Sequence, residues 1–264
     1  MSQKPPPKQF VKTPINGTKF VVLVSSAKGG VGKSTVAINL AFALQNLGLK
    51  IGLLDADVYG PSLPKLINLN EKPKSEDGKA IKPVTKYDAQ CMSMGLLVDE
   101  LTPMIWRGPM VISAIKTMTQ KVLWNDRDII IIDMPPGTGD TQLTFAQEVK
   151  VDGAVIVSTP QDLALLDVKR GIQMFDKTGV KILGLIDNMS YFKGDDGKEY
   201  KIFGESGVEK TAKEFNKEFL GHLPIHQDLR SSSDKGDPLT HSNPNHEVSL
   251  LFKNIARKIK QSFQ

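Results

Sequence analysis

Residues 27–35 read Ala27-Lys28-Gly29-Gly30-Val31-Gly32-Lys33-Ser34-Thr35, a glycine run carrying two lysines and closed by two hydroxyls. Such a run is suited to hold an anion. Glycines let the backbone curl until successive N–H groups face one point. A helix that begins where the run ends adds its partial positive charge. Together these features make Ala27 to Thr35 a nucleotide-phosphate loop. Lys33 is expected to reach the β- and γ-phosphates, and Ser34 to ligate Mg²⁺. The competing reading is a glycine-rich turn before a helix. Lys28 is either a solvated loop charge or a second cation aimed at the transferring phosphoryl, a transition-state device.

Phosphoryl chemistry with Mg²⁺ also needs acids. Ile129-Ile130-Ile131-Ile132-Asp133 is an apolar run ending in one, and Asp133 is expected to hold Mg²⁺ through water. A second pair lies in Leu53-Leu54-Asp55-Ala56-Asp57. If Asp55 ends a strand, Asp57 can turn toward an attacking water, a role that requires hydrogen-bond geometry first. The alternative is that both acids cap the loop. The base contact falls to Asn188, whose amide offers both a donor and an acceptor to adenine. No acid follows it in Met189-Ser190-Tyr191, where a guanine-reading site would carry one, so ATP is the expected nucleotide. Leu223-Pro224-Ile225 could wall the base, and a purely structural Asn188 stays open.

These residues need a scaffold that brings strand ends together. Phe20–Val24 reads as a strand, and Val36, Leu40, Ala43 and Leu47 fall at helical spacing after the loop. Further apolar runs cover 50–54, 92–98, 129–133, 153–157, 180–186 and 219–222. Helices are expected over 109–122, 163–177, 207–215 and from about 246. Apolar runs without alternation, separated by helices, imply an α/β fold: a P-loop NTPase with a mostly parallel central sheet covered by helices on both faces. Residues 1–16, rich in proline and lysine, read as a flexible arm, and 17–264 as the ATPase domain. Residues 61–90 read as a surface excursion containing a hairpin.

Composition narrows the class. In 264 residues, 40% hydrophobic and 24% charged residues suit a single globular domain. The net charge of +5 gives no reason to expect nucleic acid as a partner. No acid precedes Asp55, whereas lysines stand at 4, 8, 12, 19, 28, 33 and 50. No apolar run approaches the ~20 residues of a membrane span. One cysteine, Cys91, excludes an intrachain disulfide and fits a reducing, cytoplasmic compartment. It lies in an apolar strand, where burial is expected.

The Lys28-Gly29-Gly30 variant of the loop resembles the deviant Walker A signature shared by Min, Par, nitrogenase-iron-protein and Mrp/ApbC ATPases. The motifs Asp55-Ala56-Asp57-Val58-Tyr59-Gly60-Pro61-Ser62, Met92-Ser93-Met94-Gly95, Trp106-Arg107-Gly108-Pro109-Met110, Asp133-Met134-Pro135-Pro136-Gly137-Thr138-Gly139-Asp140 and Asn188-Met189-Ser190-Tyr191-Phe192 are similar to those of the Mrp/ApbC family. The resemblance runs from about residue 17 to the end. It implies an ATP-sandwich homodimer in which Lys28 acts in trans and Asp57 positions the hydrolytic water. It also implies work on iron–sulfur clusters and their transfer to apoproteins. Many members carry a Cys-x-x-Cys pair after Asn-Met-Ser-Tyr-Phe, but here Lys193-Gly194-Asp195-Asp196-Gly197-Lys198 stands there. Aspartate is a hard ligand unsuited to such a cluster, so no iron–sulfur ligands are assigned and Asp195-Asp196 is expected to turn the chain.

Two alternatives have their own support. A Min/Par-like surface-positioning ATPase would use the stripe Val248, Leu251, Phe252, Ile255, Ile259 and Phe263, flanked by Lys253, Arg257, Lys258 and Lys260. The same stripe packed on the domain is the stronger expectation, leaving no membrane contact. The other alternative is a nucleotide-switched adaptor with very slow turnover.

Overall fold

The computed structural model describes residues 12–57, 60–75, 79–97 and 108–264. In chain order the strands are β1 Thr18–Ser25, β2 Ile51–Asp55, β3 Val84–Lys86, β4 Ala89–Ser93, β5 Arg127–Asp133, β6 Gly153–Ser158, β7 Ile182–Asp187, β8 Phe192–Lys193, β9 Glu199–Tyr200 and β10 Phe219–His222. Eight of them form one sheet in the order β10-β7-β6-β1-β5-β2-β4-β3, and β8 with β9 forms a separate hairpin. Every neighbouring pair in the large sheet is parallel except β3 with β4. The helices are α1 Lys33–Gln45, α2 Leu63–Leu66, α3 Gly108–Lys116, α4 Asp140–Glu148, α5 Asp162–Thr178, α6 Gly207–Glu214, α7 Gln227–Lys235, α8 Leu239–Ser242 and α9 Glu247–Gln261.

Side-chain alternation along β1 shows why both sheet faces are covered. Val22 and Val24 enter one apolar layer with α1 and α9. Val21 and Leu23 enter the other, with Ile115 of α3, Phe145 of α4, Phe175 of α5 and Val208 of α6. A strand buried on both faces reads as an unbroken apolar run, as β5 does from Ile129 to Ile132. Helix α1 is enclosed on more than one side: Val36 to Leu44 are all buried. Its polar Asn39 is satisfied there. It donates to Thr35 O at 2.9 Å and accepts from Thr240 N at 3.1 Å, tying α8 to α1.

Several expectations need correction. The strand expected over 92–98 ends at Ser93, whose hydroxyl accepts from Gly95 N and starts a short 3-10 turn over Met94–Leu96; Val98 lies outside the described residues. The 61–90 segment does contain a hairpin, but β3 and β4 extend the main sheet, and Ile67 and Leu69 are buried. Part of the expected arm is not free. Thr13 bridges to Val149, donating to Glu148 O and accepting from Lys150 N at 2.8 Å each, and Ile15 is core at 3% exposure. Residues 12–16 therefore belong to the packed body, and 1–11 lie outside the described residues. Helices α2, α4, α7 and α8 are additions to the expected set. Their apolar residues are too few for a periodic signal: Phe145 anchors α4, and Leu229 is the sole buried residue of α7.

The carboxy-terminal stripe is spent inside the molecule. Val248, Phe252, Ile255 and Ile259 of α9 are at most 1% exposed, in the layer that also holds α1. Phe263 stacks on Phe20 with centroids 4.4 Å apart. Among the described residues no helix is long and apolar enough to cross a membrane.

Candidate functional site

Strand register assembles the site. Val24 lies opposite Asp133, and Asp55 lies opposite Asp133 on the other side of β5. The carboxyl ends of β1, β5 and β2 thus meet where the glycine loop leaves β1. After β1 the chain passes beyond β5 to β2, whereas after β5 it passes beyond β1 to β6. Ligands of open α/β sheets bind at such a divergence.

The loop itself uses left-handed backbone at Gly30 (φ 80°) and Gly32 (φ 77°), a region glycine enters without steric penalty. Gly32 is doubly constrained, because a Cβ there would sit 2.4 Å from Asn188 Nδ2. That amide donates to Val31 O at 2.8 Å, fastening the loop to the end of β7. On the opposite side Gly137 N donates to Ser26 O and Ser26 Oγ donates to Lys28 O, both at 2.9 Å. Val36 N donates to Gly32 O at 3.0 Å, so α1 starts as the loop ends and its first N–H groups face the cradle.

The two loop lysines have opposite surroundings. Lys33 is 6% exposed; its ammonium pairs with Asp133 Oδ1 and lies 3.3 Å from Ser34 Oγ. Lys28 is exposed, and no described carboxylate pairs with it. Burial pushes the Asp133 carboxyl upward, opposed by the Lys33 ammonium and the Ser34 hydroxyl. Asp133 and Ser34 offer adjacent hard oxygen donors, the set a Mg²⁺ ion takes alongside nucleotide phosphates. The residues present therefore fit both a polyphosphate and its cation.

Asp55 and Asp57 divide their work. Asp55 is fully buried and accepts four hydrogen bonds, from Asp57 N (3.1 Å), Ser62 N (2.9 Å), Leu63 N (3.0 Å) and Ser93 Oγ (3.1 Å). Burial, then repulsion from Asp133, pushes its pKa up to about 7 against those donors. It is the post on which the segment after β2 is folded. Asp57 keeps access to solvent at 9% exposure and accepts from Gly60 N at 3.3 Å. It lines a cleft of about 360 Å³ with Lys28, Gly30, Lys33 and Ser34, and an adjoining one of about 320 Å³ with Pro136, Gly139 and Gln142. Asp57 thus stands between the glycine loop and the loop after β5.

Gln142 is a site residue that sequence reasoning missed. It is 1% exposed; its Nε2 donates to Pro135 O at 2.5 Å, and its Oε1 accepts from Ser25 Oγ at 2.9 Å. It holds the loop after β5 against the end of β1. The one available signal is its place two residues after Asp140, behind the Gly-Thr-Gly run.

Asn188, Pro224 and Ile225 line a larger cleft of about 760 Å³ that opens beside Gly32 and Thr35, with further apolar walls from Met189, Phe192 and Phe203. A flat base beside a phosphate loop finds such walls suitable.

The sulfur side differs. Cys91 is fully buried in β4, and burial pushes its thiol up to about 12, far from a thiolate ligand. The β8–β9 hairpin holds Gly194 and Gly197 in its turn. Gly194 N donates to Lys198 O at 2.9 Å, Asp196 accepts from Lys198 N at 3.0 Å and from Tyr200 Oη at 2.8 Å, and Gly197 has φ 77°. The expected Asp–Gly turn is there. A four-thiolate cluster does not fit this donor set.

Known proteins match this arrangement. The ParA family model, described as NUBPL iron-transfer P-loop NTPase, matches residues 17–260. The chain is 50% identical over 247 residues to the Arabidopsis thaliana "Iron-sulfur protein required for NADH dehydrogenase, mitochondrial", covering 93% of this chain and 79% of that protein. It is 48% identical over 254 residues to the Dictyostelium discoideum "Iron-sulfur cluster transfer protein NUBPL", covering 95% and 79%. Among solved structures, a nucleotide-binding protein from Archaeoglobus fulgidus in complex with ADP superposes with a TM-score of 0.73 at 38% identity, covering 83% of this chain and 87% of that one. With the glycine loop, its buried lysine–aspartate pair and this breadth of similarity in place, the chain belongs to the NUBPL iron-transfer P-loop NTPase family.

Proposed function

We propose that this chain is a Mg²⁺-dependent ATPase that acts as a homodimer in iron–sulfur cluster assembly or transfer to apoproteins. The observation that carries the reading is the Lys33–Asp133–Ser34 constellation at the mouth of the glycine loop, with Asp57 facing the same cleft. Ala27 to Thr35 cradle the phosphates, and Lys33 contacts the β- and γ-phosphate oxygens. Ser34 and, through water, Asp133 would hold Mg²⁺, which would supply charge neutralisation to the transferring phosphoryl. Asp57 orients the attacking water, accepting its hydrogen bond in line with the γ-phosphate. Lys28, exposed on the loop, reaches the phosphates of a partner copy, where a positive charge stabilises the transition state. Asn188 and the Pro224–Ile225 wall border the adenine.

The iron–sulfur role comes from the relatives' names and from family membership. Since the described residues offer no thiolate set, the cluster is cargo whose ligands come from a client apoprotein or a small thiol. A single buried cysteine suits a reducing compartment such as the cytoplasm. The surface-positioning alternative loses its support, because the α9 stripe is buried against the domain.

Steady-state ATP hydrolysis with Mg²⁺ tests the reading. Asp57→Asn is expected to bind ATP as the wild type does and to lose turnover by ~10²-fold, the size of a general acid–base contribution. Undiminished hydrolysis in that variant removes Asp57 from the mechanism.

A further inference from the structure

A second group of metal-ligating side chains lies at the amino ends of α7 and α9. His226 and His246 cap these helices: His226 Nδ1 accepts from Asp228 N and His246 Nδ1 from Val248 N, each at 3.2 Å. Held this way, the two rings stand 4.9 Å apart at 82°. Asp228, in the first turn of α7, places Oδ2 3.2 Å from His246 Nε2 and 3.9 Å from His226 Nδ1. One donor atom from each of the three lies within 4.8 Å of the other two, the one such His/Asp group found among the described residues. Glu247 stands alongside, with Oε1 3.4 Å from His226 Nε2 and Oε2 3.4 Å from Lys193 Nζ on the β8–β9 hairpin.

We propose that His226, Asp228 and His246 bind a divalent transition-metal ion of the zinc class. Two imidazoles and one carboxylate are borderline ligands that suit Zn²⁺ or Co²⁺, whereas Mg²⁺ keeps to oxygen. Bonds of 2.0–2.1 Å place tetrahedral ligand atoms about 3.4 Å apart, and the separations of 3.2 and 3.9 Å bracket that edge. The rings are mostly enclosed, at 23% and 16% exposure, while Asp228 is 59% exposed and can close on the ion. Water completes the shell, and Glu247, beside the far ring nitrogen of His226, is placed to orient that ring.

A neutral imidazole has one lone pair, and in both residues it now serves a helix cap. Metal loading exchanges the two caps for coordination and ties α7 to α9. The site is independent of the proposed ATPase role, although His226 also lines the cleft beside Asn188.

The test titrates tag-free, full-length protein with Co²⁺, reads the visible bands of tetrahedral cobalt, and then displaces it with Zn²⁺. One equivalent per chain is expected. His246→Gln and Asp228→Asn are each expected to weaken binding at least about 10-fold, since even second-shell losses reach that size. Both variants are expected to keep ATP binding and their far-ultraviolet circular dichroism, and Cys91→Ser to keep full metal affinity. Absence of binding in several-fold metal excess overturns the proposal. So does unchanged affinity in both variants, which would place the metal elsewhere.

Discussion

The glycine loop and the β8–β9 hairpin sit near each other along the sheet's carboxyl edge, yet they are made differently. The loop is pinned from both sides, by Asn188 on Val31 O and by Gly137 on Ser26 O, and its Lys33 is buried against Asp133. The hairpin is exposed, with Phe192 and Tyr200 at 41% and 48%; its turn is held by its own backbone and Asp196, and it meets the body through the Phe192–Ile225 bridge and the surface pair Lys193–Glu247. Preorganised phosphate chemistry needs fixed donors, which only a buried and cross-braced loop supplies. A turn that holds no ligand needs no such bracing. The contrast teaches that the phosphate loop and the hairpin, though on the same side of the sheet, are braced to different standards.

The sharpest break in the comparison comes from the loop side. Lys33→Met is expected to abolish ATP binding in calorimetry. It also leaves Asp133 buried without its cation, where removing one partner of a buried pair costs about 3 kcal/mol. A variant that binds ATP normally would show that the lysine is structural.

A smaller effect separates the two lysines. Lys28→Ala and Asp57→Asn are each expected to hydrolyse ATP poorly alone. In a mixed dimer one composite site has its own Asp57 and a partner's Lys28, so mixing is expected to restore part of the activity. Absence of recovery, with mixed dimers shown by mass spectrometry, would assign Lys28 a role within its own chain.

The smallest effect on turnover is expected on the hairpin. Gly194→Cys/Gly197→Cys should leave ATP hydrolysis as in the wild type. A Cβ at 194 would meet Tyr200 at 2.8 Å and Asp196 Oδ1 at 2.9 Å, but both side chains are exposed and can give way. At 197 the left-handed backbone makes cysteine less stable than glycine by roughly 1–2 kcal/mol. If the sites are separable, the variant gains iron–sulfur absorption without losing ATPase activity. A loss of hydrolysis in step with cluster uptake would show that the hairpin and the loop are coupled.

What could be read from the sequence follows from how local each feature is. The glycine loop, the strand acid Asp133 and the buried β5 run each declare themselves within a few residues. The Asp–Gly turn at 195–197 does too. What escaped depends on partners distant in the chain. Gln142 meets Ser25 across 117 residues, and Asn188, expected at the base, has in Val31 a partner 157 residues away that the sequence does not name. Their positions are set by sheet register rather than by local pattern. Helix α7, with a serine-rich Arg230-Ser231-Ser232-Ser233, has weak propensity and exists because His226 caps its start and Gly236 (φ 68°) closes its end. The amphipathic period of α9 was legible, but its destination was not. An apolar stripe specifies burial without saying against what.

Anaerobic reconstitution of the wild-type chain beside Cys91→Ser, scored by iron, acid-labile sulfide and ATP turnover on the same sample, tests the separation directly. Sulfide separates a cluster from iron held by histidines. The expected result is active ATP hydrolysis with no stable four-iron, four-sulfide cluster per dimer, because a dimer offers two buried thiols where a cubane takes about four. A stable cubane in the wild type, unaffected by Cys91→Ser, would contradict the account and reveal a ligand set elsewhere in the chain.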